Sequence, residues 1–208
     1  MSVAATHAAV VLAAGGSRRL GRPKQLLTRD GETLVHRAAR LAHETSPQRL
    51  LVIVGAHRDA VVAALSDLAC EVVFNPEWER GLAGSVQTAA AALAGHDGAV
   101  LILGCDQPAL AHSHLQALLD GATKAASHCA ATLHDGLPGI PVVIPCTLLS
   151  QAPMPDNGRD RGLGAHLRKL PRSAIFAFDA PELGFDLDTE DDVHTAIARG
   201  WLDAAAAD

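Results

Sequence analysis

The chain has 208 residues, with 17 Lys and Arg against 23 Asp and Glu, and its formal charge of −6 argues against a sequence-independent hold on DNA or RNA. Four Phe, two Trp and no Tyr leave no series of rings on which bases could stack. The four cysteines, Cys70, Cys105, Cys129 and Cys146, form no CxxC pair and read as reduced core residues. Met1 to Ala9 lacks the basic start and long apolar stretch of a leader, and no apolar run reaches bilayer length. The expectation is one cytoplasmic domain, with neither nucleic acid nor membrane as a partner.

Ala8 to Ala14 is a continuous apolar run ended by Gly15-Gly16-Ser17, the pattern of a strand buried on both faces. A helix is predicted over Thr33 to Thr45, with Thr33 as its N-cap. Leu50 to Val54 reads as a second buried strand, followed by a helix over Arg58 to Leu68. Strands at Glu71 to Phe74 and Ala99 to Leu103, with helices at Ser85 to Leu93 and Ser113 to Ala122, continue the alternation. That order implies a three-layer α/β/α, Rossmann-like fold around a mainly parallel sheet. His134 to Gly139 is dense in turn residues between two β-prone segments and reads as an excursion. Ala152 to Gly164 reads as a loop leading into a short helix at Ala165 to Leu170. A strand near Phe176 and a helix over Thr189 to Ala198 end the domain.

In open α/β sheets ligands sit beyond the carboxyl ends of the strands, which draws attention to the loop from Gly15 to Lys24. Gly15 and Gly16 let the backbone approach a phosphate chain, the amides up to Ser17 can donate to it, and Arg18, Arg19, Arg22 and Lys24 supply positive charge. Gly16 to Gly21 has Walker A spacing, but Arg22 and Pro23 stand where Lys and Ser or Thr are required, and no GxGxxG opens a helix. Asp106, in Gly104-Cys105-Asp106-Gln107-Pro108, follows a buried strand with a carboxylate free to hold a hard cation. Alternation in Phe185-Asp186-Leu187-Asp188 puts Asp186 and Asp188 on one side of a short strand, and Thr189 caps the helix that follows. His112 and His114 lack a third ligand nearby in sequence and read as solvated, and Cys105 reads as a buried thiol rather than a nucleophile.

The run Leu12-Ala13-Ala14-Gly15-Gly16-Ser17-Arg18-Arg19-Leu20-Gly21-Arg22-Pro23-Lys24 resembles the LAAGxSxRMGxxK signature of the cytidylyltransferase-like nucleotidyltransferases, with Leu20 in place of Met. Within that superfamily the sequence is most similar to the MobA-like branch that includes molybdenum cofactor cytidylyltransferase. The resemblance implies a nucleotide site at Leu12, Ala13, Ala14, Gly15, Gly16, Ser17, Arg19 and Lys24. Asn75 to Val86 resembles the element near base and ribose, which adds Gly81 and Ser85. Gly104 to Pro108 matches the GDQP motif and Phe185 to Asp192 the DIDTPEDL signature, implying Asp106 and Asp188 as ligands of magnesium or manganese. Arg19, Lys24 and Asp106 then carry catalysis. Gly136-Leu137-Pro138-Gly139-Ile140-Pro141 resembles the acceptor-side G-x-P-G-H-P loop, implying acceptor contacts at Gly136, Pro138, Gly139 and Pro141, with Ile140 where the family has His. Arg159-Asp160-Arg161-Gly162 loosely resembles a GDxGAR element.

The resemblance also implies an activity, namely transfer of CMP from CTP to the terminal phosphate of molybdopterin with release of pyrophosphate. A molybdoenzyme or its chaperone would be a further partner. The nucleotide half would span residues 8–110 and the acceptor half 111–200. Use of GTP, transfer to another phosphorylated small acceptor, and a non-catalytic cofactor carrier are the alternatives.

Overall fold

A computed structural model describes residues 6–151 and 167–204. The first strand, β1 (His7–Ala13), is fully buried and lies between two parallel neighbours, β4 (Arg49–Val54) and β6 (Ala99–Gly104). A small hairpin, β2 (Thr28–Arg29) with β3 (Glu32–Thr33), stands apart from this sheet. β5 (Glu71–Phe74) forms one edge, parallel to β4. Beyond β6 lie β8 (Leu137–Pro145), β7 (Cys129–His134) and, at the other edge, β9 (Ile175–Phe178), so the seven-stranded order is β5-β4-β1-β6-β8-β7-β9. Only β8 runs against the rest, because the two-residue Asp135–Gly136 turn folds it back on β7.

Alternation along the central strands feeds two cores. Ala9, Val11, Val52, Val54, Leu101 and Leu103 face α1 (Leu34–Glu44), α2 (Arg58–Ala63) and α4 (His112–Lys124). Ala8, Val10, Leu51, Ile53, Val100 and Ile102 face α3 (Leu82–Ala92) and α5 (Cys146–Ser150). The expected three-layer architecture is therefore present, with near-continuous apolar strands because both faces are covered. Among the described residues no helix is long and apolar enough to cross a membrane.

A third cluster positions the site. Leu20 of the glycine-rich loop packs with Leu34, Leu187, Val193, Ala196 and Leu202, bringing α6 (Glu190–Ala198) against the loop. Position 20 is thus an apolar plug, a role that Leu fills as Met would. Thr189 caps α6 as expected: its hydroxyl accepts from the Asp192 amide at 3.3 Å, and Asp192 accepts from the amides of Thr189 at 2.8 Å and Asp188 at 3.1 Å. Replacing Thr189 with Ala should cost about 1 kcal/mol in urea unfolding. A midpoint unchanged from wild type would count against the cap.

Three expectations are corrected. α2 stops at Ala63 because i to i+3 bonds, such as Leu65 N to Val62 O at 3.1 Å, tighten the chain toward Leu68. Phe185 to Asp188 forms no strand; the bond from Leu187 N to Asp106 O at 3.1 Å holds it beside the chain that leaves β6. The acceptor-side segment is largely strand β8 rather than loop. The loop expected at Ala152 to Gly164, the start of the helix expected at Ala165 to Leu170, and Arg159 to Gly162 lie outside the described residues.

Candidate active site

The carboxyl ends of β1 and β6 open into a cleft of about 580 Å³, a size suited to one small-molecule ligand. Leu12, Ala13, Ala14, Gly15 and Lys24 line it from the first strand and its loop. The loop is shaped from below by Gln25, a buried residue whose Nε2 donates to Ala13 O at 3.1 Å and Gly15 O at 2.6 Å. Ser17 turns its hydroxyl inward, where Oγ accepts from the Lys24 amide at 3.1 Å. The Ser17 side chain thus closes the loop, and its phosphate-facing chemistry is left to the backbone.

Lys24 lies at the centre. Its Nζ is 2.6 Å from Asp106 Oδ2 and 3.2 Å from Asp188 Oδ1, while Arg19 Nη2 reaches Asp188 Oδ2 at 2.6 Å. Burial alone would lower the Lys24 pKa, but the two carboxylates overcome it and hold the ammonium above the ordinary lysine value. Asp186 joins the cleft wall, and loss of water there together with the neighbouring Asp106 and Asp188 charges pushes its pKa up to about 7, against relief from Lys24 and Gln107. The bond from Leu187 N to Asp106 O ties the two acidic segments together. Gly104 makes room for this arrangement, since a Cβ there would lie 2.5 Å from Asp106 Oδ1. Gly104→Ala should therefore displace the carboxylate and depress activity while the chain stays folded. Wild-type turnover in that variant would show that the carboxylate's position is unimportant.

The remaining loop cations are also paired, Arg18 with Glu79 at 2.7 Å and Arg22 with Glu190 at 2.9 Å. Pairs this exposed contribute little to stability, so phosphate oxygens can replace the carboxylates at small cost. Across the cleft stand Trp78, Gly81, Leu82 and Ser85. Ser85 is buried, and its Oγ accepts from Asn75 Nδ2 at 3.2 Å. Trp78 lies so close to the loop that a Cβ on Gly16 would come within 2.7 Å of its ring, and Arg18 sits 5.7 Å from the ring centroid.

His134, Gly139, Ile140, Val142, Leu167, Arg168, Gly184 and Asp186 form the far wall. Of the four acceptor residues expected from sequence, Gly139 lines the cleft, whereas Gly136, Pro138 and Pro141 do not: Gly136 is in the hairpin turn and Pro141 is buried in the sheet. His134 supplies an imidazole to the wall that Ile140 leaves apolar. Its Nε2 lies 2.9 Å from Ile140 O and 3.1 Å from Thr132 Oγ1, which fixes Nε2 as the donor toward the carbonyl.

Other reactive groups are structural. Cys105 is buried, and burial and Asp106 push its thiol far above the ordinary value, so it is no nucleophile. His112 and His114 are half-buried rather than solvated, and His114 Nε2 lies 3.2 Å from Glu182. Gln25, Trp78, Gln107, His134 and Arg168 were not marked by the sequence reading. Only Trp78 and Gln107 fall inside a motif that could have signalled them.

A mostly parallel α/β sheet with a glycine-rich, basic loop after its first strand and two carboxylates, Asp106 and Asp188, converging on the loop lysine is a framework that suits a nucleotidyltransferase. The family model of the MobA-like NTP transferase domain matches residues 9–174, and the chain belongs to that family. Nicotine blue oxidoreductase of Paenarthrobacter nicotinovorans is 36% identical over 111 residues, covering 53% of this chain and 54% of that protein, so the chain spans about half the length of this curated relative. A nucleotidyl transferase from Methanothermobacter thermautotroptrophicus superposes with a TM-score of 0.78 at 23% identity, covering 94% of this chain and 97% of that one. The manganese complex of Rv0371c from Mycobacterium tuberculosis H37Rv gives 0.70 at 22%, covering 93% and 98%. Molybdopterin-guanine dinucleotide biosynthesis protein A from Archaeoglobus fulgidus gives 0.63 at 19%, covering 91% and 96%. At these identities the solved structures establish the fold.

Proposed function

We propose that this nucleotidyltransferase moves CMP from CTP to the terminal phosphate of a molybdopterin-type acceptor. The observation that carries the reading is the convergence of Asp106 and Asp188 on Lys24 Nζ beside the glycine-rich loop. In this reading the triphosphate lies along Gly15 to Lys24, with the base toward Ala14, Gly81 and Ser85. Ala14 is buried and lines the cleft, and in this reading its methyl group would take space that a glycine would leave to a purine. A pyrimidine fits that narrowing better. The acceptor then enters along Gly139, Ile140, His134 and Arg168. One continuous sheet underlies both sides, in keeping with a single domain that has a nucleotide half over residues 8–110 and an acceptor half over 111–200.

Asp106 and Asp188 fit a magnesium or manganese ion. Among the described residues no group of three or more His, Cys, Asp and Glu is placed to hold a metal unaided. Magnesium is commonly held by one or two carboxylates together with substrate phosphates and water, so this pair suits an ion that arrives with the nucleotide. When bound, such an ion neutralises triphosphate charge and makes the α-phosphorus more electrophilic. The protein's own part is positional. Lys24 and Arg19 would hold the phosphates in line, and an acceptor phosphate oxygen would attack the α-phosphorus as the bond to the β-phosphate breaks and pyrophosphate leaves. No general base is needed, because a phosphate monoester is largely ionised at neutral pH.

Pyrophosphate release, measured with magnesium and each of the four NTPs in the presence and absence of molybdopterin cofactor, tests the reading. Release with CTP only when the cofactor is present is the expected outcome. A preference for GTP would reassign the base, and release with another phosphorylated acceptor would reassign the substrate. Nucleotide binding without release under any combination would point to a carrier.

A further inference from the structure

Gln107 follows Asp106 at the end of β6 and is buried. Its Nε2 donates to Ile140 O at 3.0 Å on β8 and to Leu183 O at 2.7 Å, and the amide also faces the Asp186 carboxylate. The amide cannot be turned over, since its oxygen would then face two carbonyls. Oε1 is therefore fixed on the other side of the residue, where it is buried and without a partner among the described residues. A second orphan is Arg37 Nε, on α1, which is buried and has no hydrogen-bond acceptor among the described residues.

Both residues line the same small void, of about 10 Å³, walled otherwise by Leu34, Ala38, Leu41, Gly104, Cys105 and Leu110. Its volume is at the lower end of what one water needs, about 10–15 Å³, and two of its lining residues, Arg37 and Gln107, each carry a buried polar atom without a partner among the described residues. The orphans are of opposite kind, one donor and one acceptor. A water accepts from an N–H and donates to a carbonyl oxygen at once, so one molecule satisfies both.

We infer that a single buried water bridges Arg37 Nε to Gln107 Oε1, and that through it Arg37 acts as a positioning residue for the cleft. The bridge holds Gln107, and Gln107 holds Ile140 and Leu183, the chain segments on either side of the far wall. Arg37 is itself anchored, with Nη2 3.4 Å from Leu110 O. The helix that follows the phosphate loop is thereby linked to the acceptor wall without touching it. This inference is independent of which nucleotide or acceptor the enzyme uses.

Two measurements test it. A high-resolution crystal structure of the wild-type chain should show a water about 2.7–3.2 Å from both atoms. In the NMR spectrum the Gln107 side-chain amide protons should be protected from solvent exchange, and Arg37→Met should speed their exchange by about tenfold or more while β6 backbone amides keep their wild-type rates. General weakening of the fold would move both sets of protons together, so the split is the signature of positioning. A dry void overturns the inference, as does a water whose loss in Arg37→Met leaves Gln107 exchange unchanged. Should Arg37→Met fail to fold, the wild-type density alone decides.

Discussion

Lys24→Ala is expected to lower turnover by roughly two to three orders of magnitude, the loss typical when a preorganised charge-stabilising donor is removed. Lys24 contacts both Asp106 and Asp188 and is largely enclosed, with 14% of its side chain exposed. Its removal leaves Asp106, Asp186 and Asp188 facing one another without their central cation. Substrate phosphate would meet that negative cluster directly, so CTP affinity should fall together with the rate. Arginine should not rescue the variant, because a longer, planar guanidinium does not fit the enclosed position from which a compact ammonium reaches Asp106 at 2.6 Å and Asp188 at 3.2 Å. Steady-state pyrophosphate release on folded variant protein checks this. Activity within tenfold of wild type would remove Lys24 from the mechanism.

Asp188→Asn is expected to act in opposite directions on two observables. Without ligand, Asp188 occupies both Arg19 and Lys24, the cations offered to the triphosphate. Neutralising it should tighten CTP binding in the absence of metal by about fivefold, equivalent to about 1 kcal/mol for partly exposed pairs. If Asp188 holds the metal as proposed, the same change removes that ligand, and turnover with magnesium should fall by roughly two orders of magnitude. Calorimetry with chelator present gives the first quantity and pyrophosphate release the second. If Asp188 served only to anchor α6, both observables would worsen together, and a variant unchanged in both would exclude Asp188 from the site.

Where function is written in short segments, the sequence was informative. The end of β1 with the turn after it, the Asp106 strand end and the Thr189 cap each depend on neighbours within a few residues, and the local structure of each is as the sequence predicts. The alternating strands were readable because burial on both faces makes them continuously apolar. What joins those segments was not legible. Arg19 and Asp188 are 169 positions apart, and the bond from Leu187 N to Asp106 O gives no signal in either segment. Gln25 reads as an ordinary polar residue after a loop until the fold places its amide under two carbonyls.

The acceptor side shows the same limit from the other direction. Turn residues from His134 to Gly139 suggested a loop, yet the turn itself is only Asp135–Gly136 and the rest pairs as β7 and β8. Strand pairing then decides which side chains reach the cleft, selecting His134, Gly139 and Ile140 over Gly136, Pro138 and Pro141. Resemblance marks the segment as acceptor-side, and only the sheet could assign its faces. Ile140, which departs from the family pattern, proves to share its wall with His134.

The most direct test follows phosphorus. CTP labelled at the α-phosphorus should pass its label to the molybdopterin acceptor in the presence of magnesium, while label at the γ-position should leave entirely in pyrophosphate, and both should slow by roughly two to three orders of magnitude in Lys24→Ala. Label recovered as free CMP or as inorganic phosphate, with none on the acceptor, would contradict nucleotidyl transfer to molybdopterin at this cleft.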